Sequence, residues 1–463
     1  MNYAWADHKI FGSPEGAILL GVDHASIFFV DTETRDVISR WEETHSVDLD
    51  ASPQADREVL EGLRDARILV PVGQSCKTGF VRFDPGTIPL STLVLEVAQD
   101  CNLRCTYCYA GGGSYGKPGR LIDHELARQA VRTLIDRSGE RETVTLILFG
   151  GEPLLNLPAL KAAAEEAEIR GNEAGKKVIL SLTTNGTLLG SEAIDFIKRY
   201  RVTVSVSMDG PPDLHNANRP TLTGEGSYQS IATNLARLLA ESPAPVAARV
   251  TLIPEQWSQT EAVFDHLMEI GFHEVGIAPA SPIRHDLLPD ERHEEALLLG
   301  FAAMAKRFLV MASQGRVLPF SNLIDLLARL HKGQTKSVSC GAGLGYLAVD
   351  AVGDYYLCHR LAGDSAFRVG TLATGPEPET IRTVLDQVTA GLDMLCADCW
   401  ARTLCSGGCH YENNLRGSHL GLPAGSSCNF ILSWLQVGIE TYAELRRGKC
   451  EQILKHFEKR VAC

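Results

Sequence analysis

The chain has 463 residues, of which 44% are hydrophobic, and its formal net charge is −13. This length allows about three domains of roughly 150 residues each, with ordinary buried cores. The acidic balance and the absence of any block of lysines and arginines argue against a nucleic-acid partner, whose phosphates need basic clusters. The start of the chain lacks a signal-peptide pattern, and no run of about 18 apolar residues occurs. We therefore expect a cytoplasmic protein without a membrane span.

The first 75 residues predict a small winged-helix-like domain. Apolar runs predict strands at 18–23 and 27–31, helices at 32–43 and 52–66, and a last strand at 68–70. Glycines and prolines between residues 76 and 90 then predict a linker.

Strands and helices alternate between residues 91 and 325. The predicted strands lie at 93–97, 144–149, 178–182, 202–207, 246–252 and 275–277. Helical patterns at 123–135, 160–174 and 191–199 separate the first four. This alternation predicts an α/β fold of parallel strands joined by crossover helices, and six strands fit a partial (β/α)6 barrel. Ligands in such folds bind at the carboxyl ends of the strands.

The remaining chain divides into a cysteine-rich segment, 326–432, and a C-terminal segment, 433–463. Amphipathic spacing from residue 430 to 461 predicts one or two helices. Thirteen cysteines are present, and ten of them fall into two groups. Cytoplasmic thiols stay reduced, so this clustering indicates metal ligands rather than disulfides. The other three cysteines, Cys76, Cys450 and Cys463, are expected to be simple thiols.

The first group is Cys101, Cys105 and Cys108, directly after the first barrel strand. A four-iron cluster normally takes four cysteines, so three would leave one iron open to another molecule. The spacing CxxxCxxC, with Tyr107 before the last cysteine, resembles the signature of the radical S-adenosylmethionine (SAM) enzymes. That resemblance implies that SAM chelates the open iron and is cleaved to a 5′-deoxyadenosyl radical. A zinc knuckle is the alternative, but no fourth Cys or His follows within a dozen residues.

Glycines and polar residues follow the predicted barrel strands, where a cosubstrate would bind. Glycines let a backbone approach a ligand closely, and a carboxylate can accept hydrogen bonds from an ammonium group. By the resemblance, the Gly-Gly-Glu-Pro segment holds the SAM amino group, and Arg219 or Arg249 pairs with its carboxylate. An ordinary salt bridge is the alternative for either arginine. The residues expected to contact SAM are Tyr107, Gly150, Gly151, Glu152, Pro153, Thr183, Asn185, Ser207, Asp209, Arg219 and Arg249.

The second cysteine group resembles the seven-cysteine SPASM extension of radical SAM enzymes that act on peptides and proteins. Its members are Cys340, Cys358, Cys396, Cys399, Cys405, Cys409 and Cys428. The resemblance implies two auxiliary [4Fe-4S] clusters beside the SAM-binding one. Cys396, Cys399, Cys405 and Cys428 would ligate one fully.

The other auxiliary cluster would be held by Cys340, Cys358 and Cys409. Because residues 341–357 contain no further cysteine, one of its irons is open or takes a different ligand. An open iron could hold a substrate thiolate. A two-zinc ribbon is the alternative, but seven thiols do not fill two four-cysteine sites.

The front domain resembles the peptide-recognition domains of enzymes that modify ribosomally made peptides, where a leader adds a strand to a sheet edge. A mere capping role is the alternative. The whole combination resembles maturases that join a Cys sulfur to a carbon of another residue, and is similar to those that act on the quinohaemoprotein amine dehydrogenase small subunit. The implied partners are a Cys-containing precursor peptide or small protein with a leader, and an electron donor such as flavodoxin or ferredoxin. Two alternatives remain open: a formylglycine-forming sulfatase maturase, and a non-catalytic electron carrier or peptide-binding scaffold.

Overall fold

The computed structural model describes residues 2–13, 16–44, 46–74, 80, 82–417 and 425–460. Cys76 and Cys463 therefore lie outside the described residues, as does part of the predicted linker. The described part of that linker after residue 81 contains turns but neither a helix nor a strand up to residue 91.

The N-terminal segment forms two small antiparallel sheets with two helices and a core of its own. Its elements are β1 (Asn2–Trp5), β2 (His8–Ser13), β3 (Gly16–Gly21), β4 (Ser26–Val30), α1 (Thr32–Trp41), β5 (Val47–Asp48), α2 (Gln54–Asp65) and β6 (Leu69–Pro71). The sheets have the strand orders β2-β3-β4 and β5-β1-β6. Buried Leu19, Ile38 and Leu60 join strands and helices in one cluster. The predicted strands and helices are confirmed to within about two residues, whereas β1, β2 and β5 were missed.

The central segment is the partial barrel. Its elements are β7 (Thr92–Gln99), β8 (Arg120–Leu121), α3 (His124–Asp136), β9 (Thr143–Gly150), α4 (Leu157–Ala174), β10 (Lys177–Thr184), α5 (Ser191–Arg199), β11 (Thr203–Ser207), α6 (Pro212–Asn218), α7 (Tyr228–Glu241), β12 (Ala247–Leu252), α8 (Thr260–Ile270), β13 (Glu274–Pro279), α9 (Glu291–Ser313) and α10 (Ser321–His331). Six strands lie parallel in the order β13-β12-β11-β10-β9-β7. The predicted partial (β/α)6 barrel is confirmed.

Side-chain alternation along the strands separates the helix-packed face from the barrel interior. On β9, Val144, Leu146 and Leu148 are fully buried, whereas the alternate residues are partly exposed. Since successive strand residues point to opposite faces, Ile147 and Phe149 face the interior. All six strands run the same way, so their carboxyl ends meet at one rim of the barrel.

The C-terminal segment extends the barrel sheet. Its elements are β14 (Tyr346–Val349), β15 (Asp354–Tyr356), β16 (Arg368–Thr371), β17 (Gly375–Pro376), α11 (Pro378–Leu395), α12 (Arg402–Cys405), α13 (His410–Gly417), α14 (Gly425–Arg447) and α15 (Glu451–Lys459). β14 pairs in parallel with β7, and β15 to β17 follow it as antiparallel neighbours. This pairing fixes the cysteine-rich segment beside the loop that follows β7.

The C-terminal tail forms two helices, as expected, although Val461 lies outside the described residues. α14 packs on α9, where Phe301 meets Trp434 with ring centroids 5.0 Å apart. Among the described residues, α9 alone has the length and composition to cross a membrane, a test that core helices of soluble proteins also pass. The expected absence of a membrane span stays a prediction.

Candidate active site

A cavity of about 690 Å³ opens at the carboxyl-end rim of the barrel. From the barrel it is lined by Cys101, Cys105, Tyr107, Cys108, Gly150, Gly151, Thr183, Asn185, Ser207 and Arg219. From the C-terminal segment it is lined by Cys396, Cys399, Cys405, Cys409 and Cys428. The fold therefore brings members of both cysteine groups, far apart in sequence, to the wall of one cavity.

The loop of the first cysteine triad follows β7 and is held by the segment after α6. Its backbone amides at Arg104 and Thr106 donate to the carbonyls of Pro220 and Asn218, at 2.8 and 2.9 Å. These two hydrogen bonds keep the three thiols together at the rim, although the loop contains no helix or strand.

Three N–H groups point at the sulfurs of this triad. The Leu103 amide and the Asn185 side-chain amide lie 3.4 and 3.7 Å from Cys101 Sγ, and Arg219 Nη1 lies 3.8 Å from Cys105 Sγ. Burial raises the pKa of the free Cys101 thiol to about 12, with Glu152 and Cys105 adding negative charge. Donors aimed at sulfur favour the thiolate, which is the form that ligates iron.

A buried carboxylate, Asp209, organises the wall beside this loop. It accepts the Tyr107 hydroxyl at 2.6 Å, Arg219 Nε at 3.0 Å and the Thr251 amide at 3.1 Å. The Tyr107 ring also lies 5.5 Å from the Arg219 guanidinium carbon. Of the two arginines expected to meet a SAM carboxylate, Arg219 is thus already ion-paired. Arg219 lines the cavity, whereas its partner Asp209 does not.

Glu152 ties the end of β9 to the end of β10. Its carboxylate accepts the Leu154 amide at 3.0 Å, the Thr184 hydroxyl at 2.7 Å and the Asn185 amide at 2.7 Å. The side chain is fully buried, and burial raises its pKa to about 7. With both oxygens engaged by protein donors, Glu152 positions the rim residues rather than facing the cavity.

The two glycines before it are required by a close backbone approach. Gly150 has φ of +144°, and a Cβ there would lie 2.3 Å from the Ala98 carbonyl oxygen. A Cβ on Gly151 would lie 2.2 Å from the Asp100 carbonyl oxygen. The crowding backbone belongs to the end of β7 and the residue before Cys101, so the glycines bring two strand ends together at the cavity.

The remaining predicted SAM contacts separate into two sets. Thr183, Asn185 and Ser207 line the cavity together with the glycines, Tyr107 and Arg219. Of the described residues named as SAM contacts, Glu152, Pro153, Asp209 and Arg249 do not line it. Arg249 lies on the same face of β12 as Thr251, which does line the cavity, but two residues further from the rim. These placements leave each SAM contact a prediction.

The seven later cysteines form two neighbourhoods. Burial raises the pKa of Cys358 to about 12, and the charges of Cys340 and Cys409 act on it. Burial likewise raises the pKa of Cys396 to about 12, and the charges that act on it are those of Cys399, Cys405 and Cys428. These are the ligand sets that the SPASM resemblance implies. The eleven cysteines of the described residues are all free thiols.

The thiol sets fit four-iron clusters in number, with three or four cysteines in each set. Within the described residues, no three His, Cys, Asp or Glu side chains converge closely enough to share one metal ion. A cube of four irons takes one thiolate at each ligated corner, so its ligands surround a volume instead of meeting at a point. Cys101, Cys105 and Cys108 could hold one such cube, and the two later sets one each.

Sequence reasoning missed the group that separates the first cysteine loop from the second auxiliary set. Arg360 lines the cavity between Tyr109, Tyr411 and Cys409. Glu412 accepts a hydrogen bond from the same guanidinium, and Ser281 contacts it. The available signal was a basic residue two positions after Cys358, but its partners are 49 to 251 residues away in sequence.

Comparisons with known proteins agree with this architecture. Residues 95–267 match the Radical SAM superfamily. A cysteine-type anaerobic sulfatase-maturating enzyme of Clostridium perfringens is 31% identical over 147 residues, which is 31% of this chain and 39% of that protein. A serine-type anaerobic sulfatase-maturating enzyme of Klebsiella aerogenes is 23% identical over 349 residues, covering 72% of this chain and 82% of that one.

Solved structures share the fold at low identity. The structure of anSMEcpe with bound AdoMet has a TM-score of 0.67 at 18% identity, covering 77% of this chain and 98% of that one. Streptococcus suis SuiB bound to the precursor peptide SuiA has a TM-score of 0.51 at 13% identity, covering 91% of this chain and 99% of that one. These likenesses show a common fold of barrel and C-terminal extension.

Proposed function

We propose that this chain, which carries a radical SAM domain at residues 95–267, forms intramolecular thioether cross-links in a ribosomally made peptide or small protein. Each link would join a Cys sulfur to a carbon of another residue. The observation that carries the proposal is the single cavity whose wall contains the open-site triad and members of the second cysteine group. A hydrogen-abstracting site and cysteines that would ligate an electron-accepting cluster would then face the same substrate.

Cys101, Cys105 and Cys108 would hold the SAM-binding cluster, and Thr183, Asn185, Ser207 and Arg219 line the space beside it. When bound, SAM and this cluster supply a one-electron cleavage that yields a primary-carbon radical able to abstract hydrogen. The chain's own part is to orient the peptide against that centre and to exclude water. The Asp209 and Glu152 networks serve this purpose because they fix the rim residues from behind.

The substrate thiol would approach from the side of Cys340, Cys358 and Cys409, where three cysteines leave a cluster corner for it. The substrate carbon would give up one hydrogen atom to the 5′-deoxyadenosyl radical, which becomes 5′-deoxyadenosine, the thiol would give up one proton, and a carbon–sulfur bond would form. One electron is left over, equal to the one consumed in cleaving SAM, and the auxiliary clusters would pass it on. The peptide becomes lighter by two hydrogens per link.

The N-terminal domain offers an edge for a leader peptide. In the described residues, β4 pairs with β3 on one side, and a groove of about 470 Å³ lies against its Ser26 and Phe28. The same groove is lined by Arg67, after α2, and by Thr335 of the cysteine-rich segment. A leader that adds a strand to β4 would raise the substrate's local concentration near the cavity. The fold shared with peptide-bound SuiB spans 91% of this chain, which supports such an arrangement.

The test uses anaerobically reconstituted protein with SAM, a reductant and the candidate peptide. We expect 5′-deoxyadenosine and a peptide lighter by two hydrogens per link, whose linked Cys no longer reacts with an alkylating reagent. Replacing Cys101, Cys105 and Cys108 by Ala should abolish both products while two clusters remain. A scaffold or electron carrier would keep its function in that variant, so persistence of function would contradict the proposal.

Formylglycine formation is the second candidate, because several relatives are sulfatase-maturating enzymes. It would convert a single Cys or Ser side chain to an aldehyde without a new bond between residues. An aldehyde-reactive probe separates the two outcomes: labelling of the product would favour formylglycine, whereas an unlabelled product with a blocked thiol favours the thioether. We also propose a cytoplasmic location and an electron donor such as flavodoxin or ferredoxin.

A further inference from the structure

Arg360 contacts the sulfurs of two cysteines of the second auxiliary set. Its backbone amide lies 3.4 Å from Cys358 Sγ, and its Nη1 lies 3.7 Å from Cys409 Sγ. One residue therefore brings two N–H donors and a permanent positive charge to these sulfurs. Arg360 lies in the turn at residues 359–361, and Cys409 lies directly before α13.

Two aromatic rings hold the guanidinium in place. Its central carbon lies 5.2 Å from the Tyr109 ring centroid and 4.6 Å from the Tyr411 ring centroid. Tyr109 immediately follows Cys108, so this stack joins the SAM-side loop to the auxiliary cysteines. The Arg360 side chain is 24% exposed and lines the cavity, where a substrate would meet it.

Glu412 balances part of this charge. Its Oε1 accepts Arg360 Nη2 at 3.1 Å and the Ser281 hydroxyl at 2.6 Å. Ser281 also contacts the same guanidinium nitrogen. The cluster ligands thus face a cation whose charge is partly offset on the side away from the sulfur.

We propose that Arg360 raises the reduction potential of the auxiliary cluster held by Cys340, Cys358 and Cys409. The inference rests on the proposed function. Reduction adds one negative charge to a cluster, and nearby positive charge and N–H···S contacts stabilise the added charge and raise the potential. A higher potential would favour transfer of the one electron that the peptide loses to this cluster, and an external redox protein of the flavodoxin or ferredoxin class would then take up that electron.

The experiment is an EPR-monitored redox titration of anaerobically reconstituted protein. The background carries Ala at residues 101, 105 and 108, so two clusters contribute to the spectrum. Arg360→Met should shift the midpoint potential of one cluster downward and leave the other unchanged. Arg360→Lys, which keeps the charge but loses the planar fork, should give a smaller downward shift. Arg368→Met removes an exposed arginine paired with Asp354 in the same segment and should shift neither cluster.

Glu412→Gln provides a variant with the opposite sign. It leaves Arg360 in place and removes the offsetting negative charge, so the same midpoint should rise. A merely structural ion pair would give no such opposed shifts. Two results would overturn the proposal. One is an Arg360→Met protein that contains the cluster with an unchanged or higher midpoint potential, and the other is a lower midpoint potential in Glu412→Gln. If Arg360→Met fails to load the cluster, the lysine and Glu412 variants decide.

Failure of this inference is distinguishable from failure of the proposed function. An unshifted midpoint in protein that still cleaves SAM and cross-links its peptide rejects the role of Arg360 alone. Wild-type protein whose EPR spectrum does not respond to SAM rejects the proposed function, while the dependence of the auxiliary midpoint on Arg360 can still be measured.

Discussion

The Arg402 guanidinium donates to the Asp23 carboxylate at 2.6 Å, across the junction between the N-terminal domain and the segment that carries Cys399 and Cys405. Both side chains are buried, at 4% and 7% exposure. Asp7 pairs with the same guanidinium at 2.8 Å, and the Thr403 hydroxyl donates to the Val22 carbonyl. The domain proposed to bind a leader is therefore attached directly to residues between Cys399 and Cys405, which are proposed cluster ligands.

Removing this pair should loosen the junction. Asp23→Asn leaves a buried guanidinium with a single remaining carboxylate, and breaking a buried pair costs roughly 3–5 kcal/mol, of which we expect about 3 here because Asp7 remains. Thermal unfolding and limited proteolysis between residues 72 and 92 measure the effect. Glu192→Gln, which removes an exposed pair with Lys161, is the control and should resemble wild type. An unchanged cleavage rate in Asp23→Asn would show that the Asp23–Arg402 pair does not hold the N-terminal domain in place.

Asp209 should be needed for the first cluster. Asp209→Asn leaves Arg219 buried without its countercharge and loosens the wall beside Cys105. We expect loss of about four irons per chain and of the spectral response to SAM, with both auxiliary clusters retained. Tyr107→Phe removes one donor to the same carboxylate and should lower SAM affinity with less loss of iron. Full iron content in Asp209→Asn would show that the network does not support the loop.

Glu96 should make stability fall with rising pH. It is fully buried on β7, accepts the Tyr115 hydroxyl at 2.8 Å, and burial raises its pKa to about 8 from 4.5, with Asp350 adding negative charge. The folded protein thus binds a proton that the unfolded chain lacks between pH 4.5 and about 8. The stability that the protonated Glu96 carboxyl contributes is complete below pH 4.5. It is lost as pH rises through about 8, at about 1.4 kcal/mol per pH unit.

Glu96→Gln has no proton to lose, so its melting temperature minus that of wild type should increase between about pH 5 and about pH 9. The measurement is thermal unfolding of both proteins across that range. A difference that stays constant with pH would show that Glu96 does not titrate in this window.

Phe29 should contribute to leader binding. It lies on β4 with 43% of its surface exposed, and aromatic anchors carry much of the binding energy at peptide interfaces. Phe29→Glu should weaken peptide binding by on the order of tenfold, or about 1.4 kcal/mol, while SAM cleavage without peptide stays unchanged. The matched control is Ile169→Glu, an exposed apolar residue on α4. Equal peptide affinities of the Phe29→Glu and Ile169→Glu proteins would show that β4 is not the docking edge.

The sequence predicted the repeating elements because their side-chain periodicity is local. The six barrel strands and the helix at 191–199 follow from alternating apolar runs and helical spacing. β2 was missed because Lys9, Gly12 and Ser13 interrupt its apolar pattern, and it becomes a strand by pairing along the whole of β3. Pairing energy from a distant neighbour does not appear in a local window.

Glu152 shows what residue type alone leaves out. A carboxylate after two glycines suggests a ligand for an ammonium group, and this stays a prediction, but the sequence does not show that Thr184 and Asn185, more than thirty residues away, donate hydrogen bonds to its oxygens. Arg360 was not singled out in the sequence, because its contacts with Tyr109 and Cys409 form only in the folded chain.

Cysteine spacing by itself predicted two groups of thiols, and the resemblance to the radical SAM and SPASM signatures implied how they divide into ligand sets. Composition and periodicity determined the barrel and its flanking segments. Only the tertiary structure decided that residues of both cysteine groups share one cavity, that Asp209 is the buried ion-pair partner of Arg219, and that Arg402 joins the front domain to the segment between Cys399 and Cys405. The physical reason is that each of these depends on burial and on contacts between residues far apart in sequence, which arise when β14 pairs with β7 and the strand ends meet.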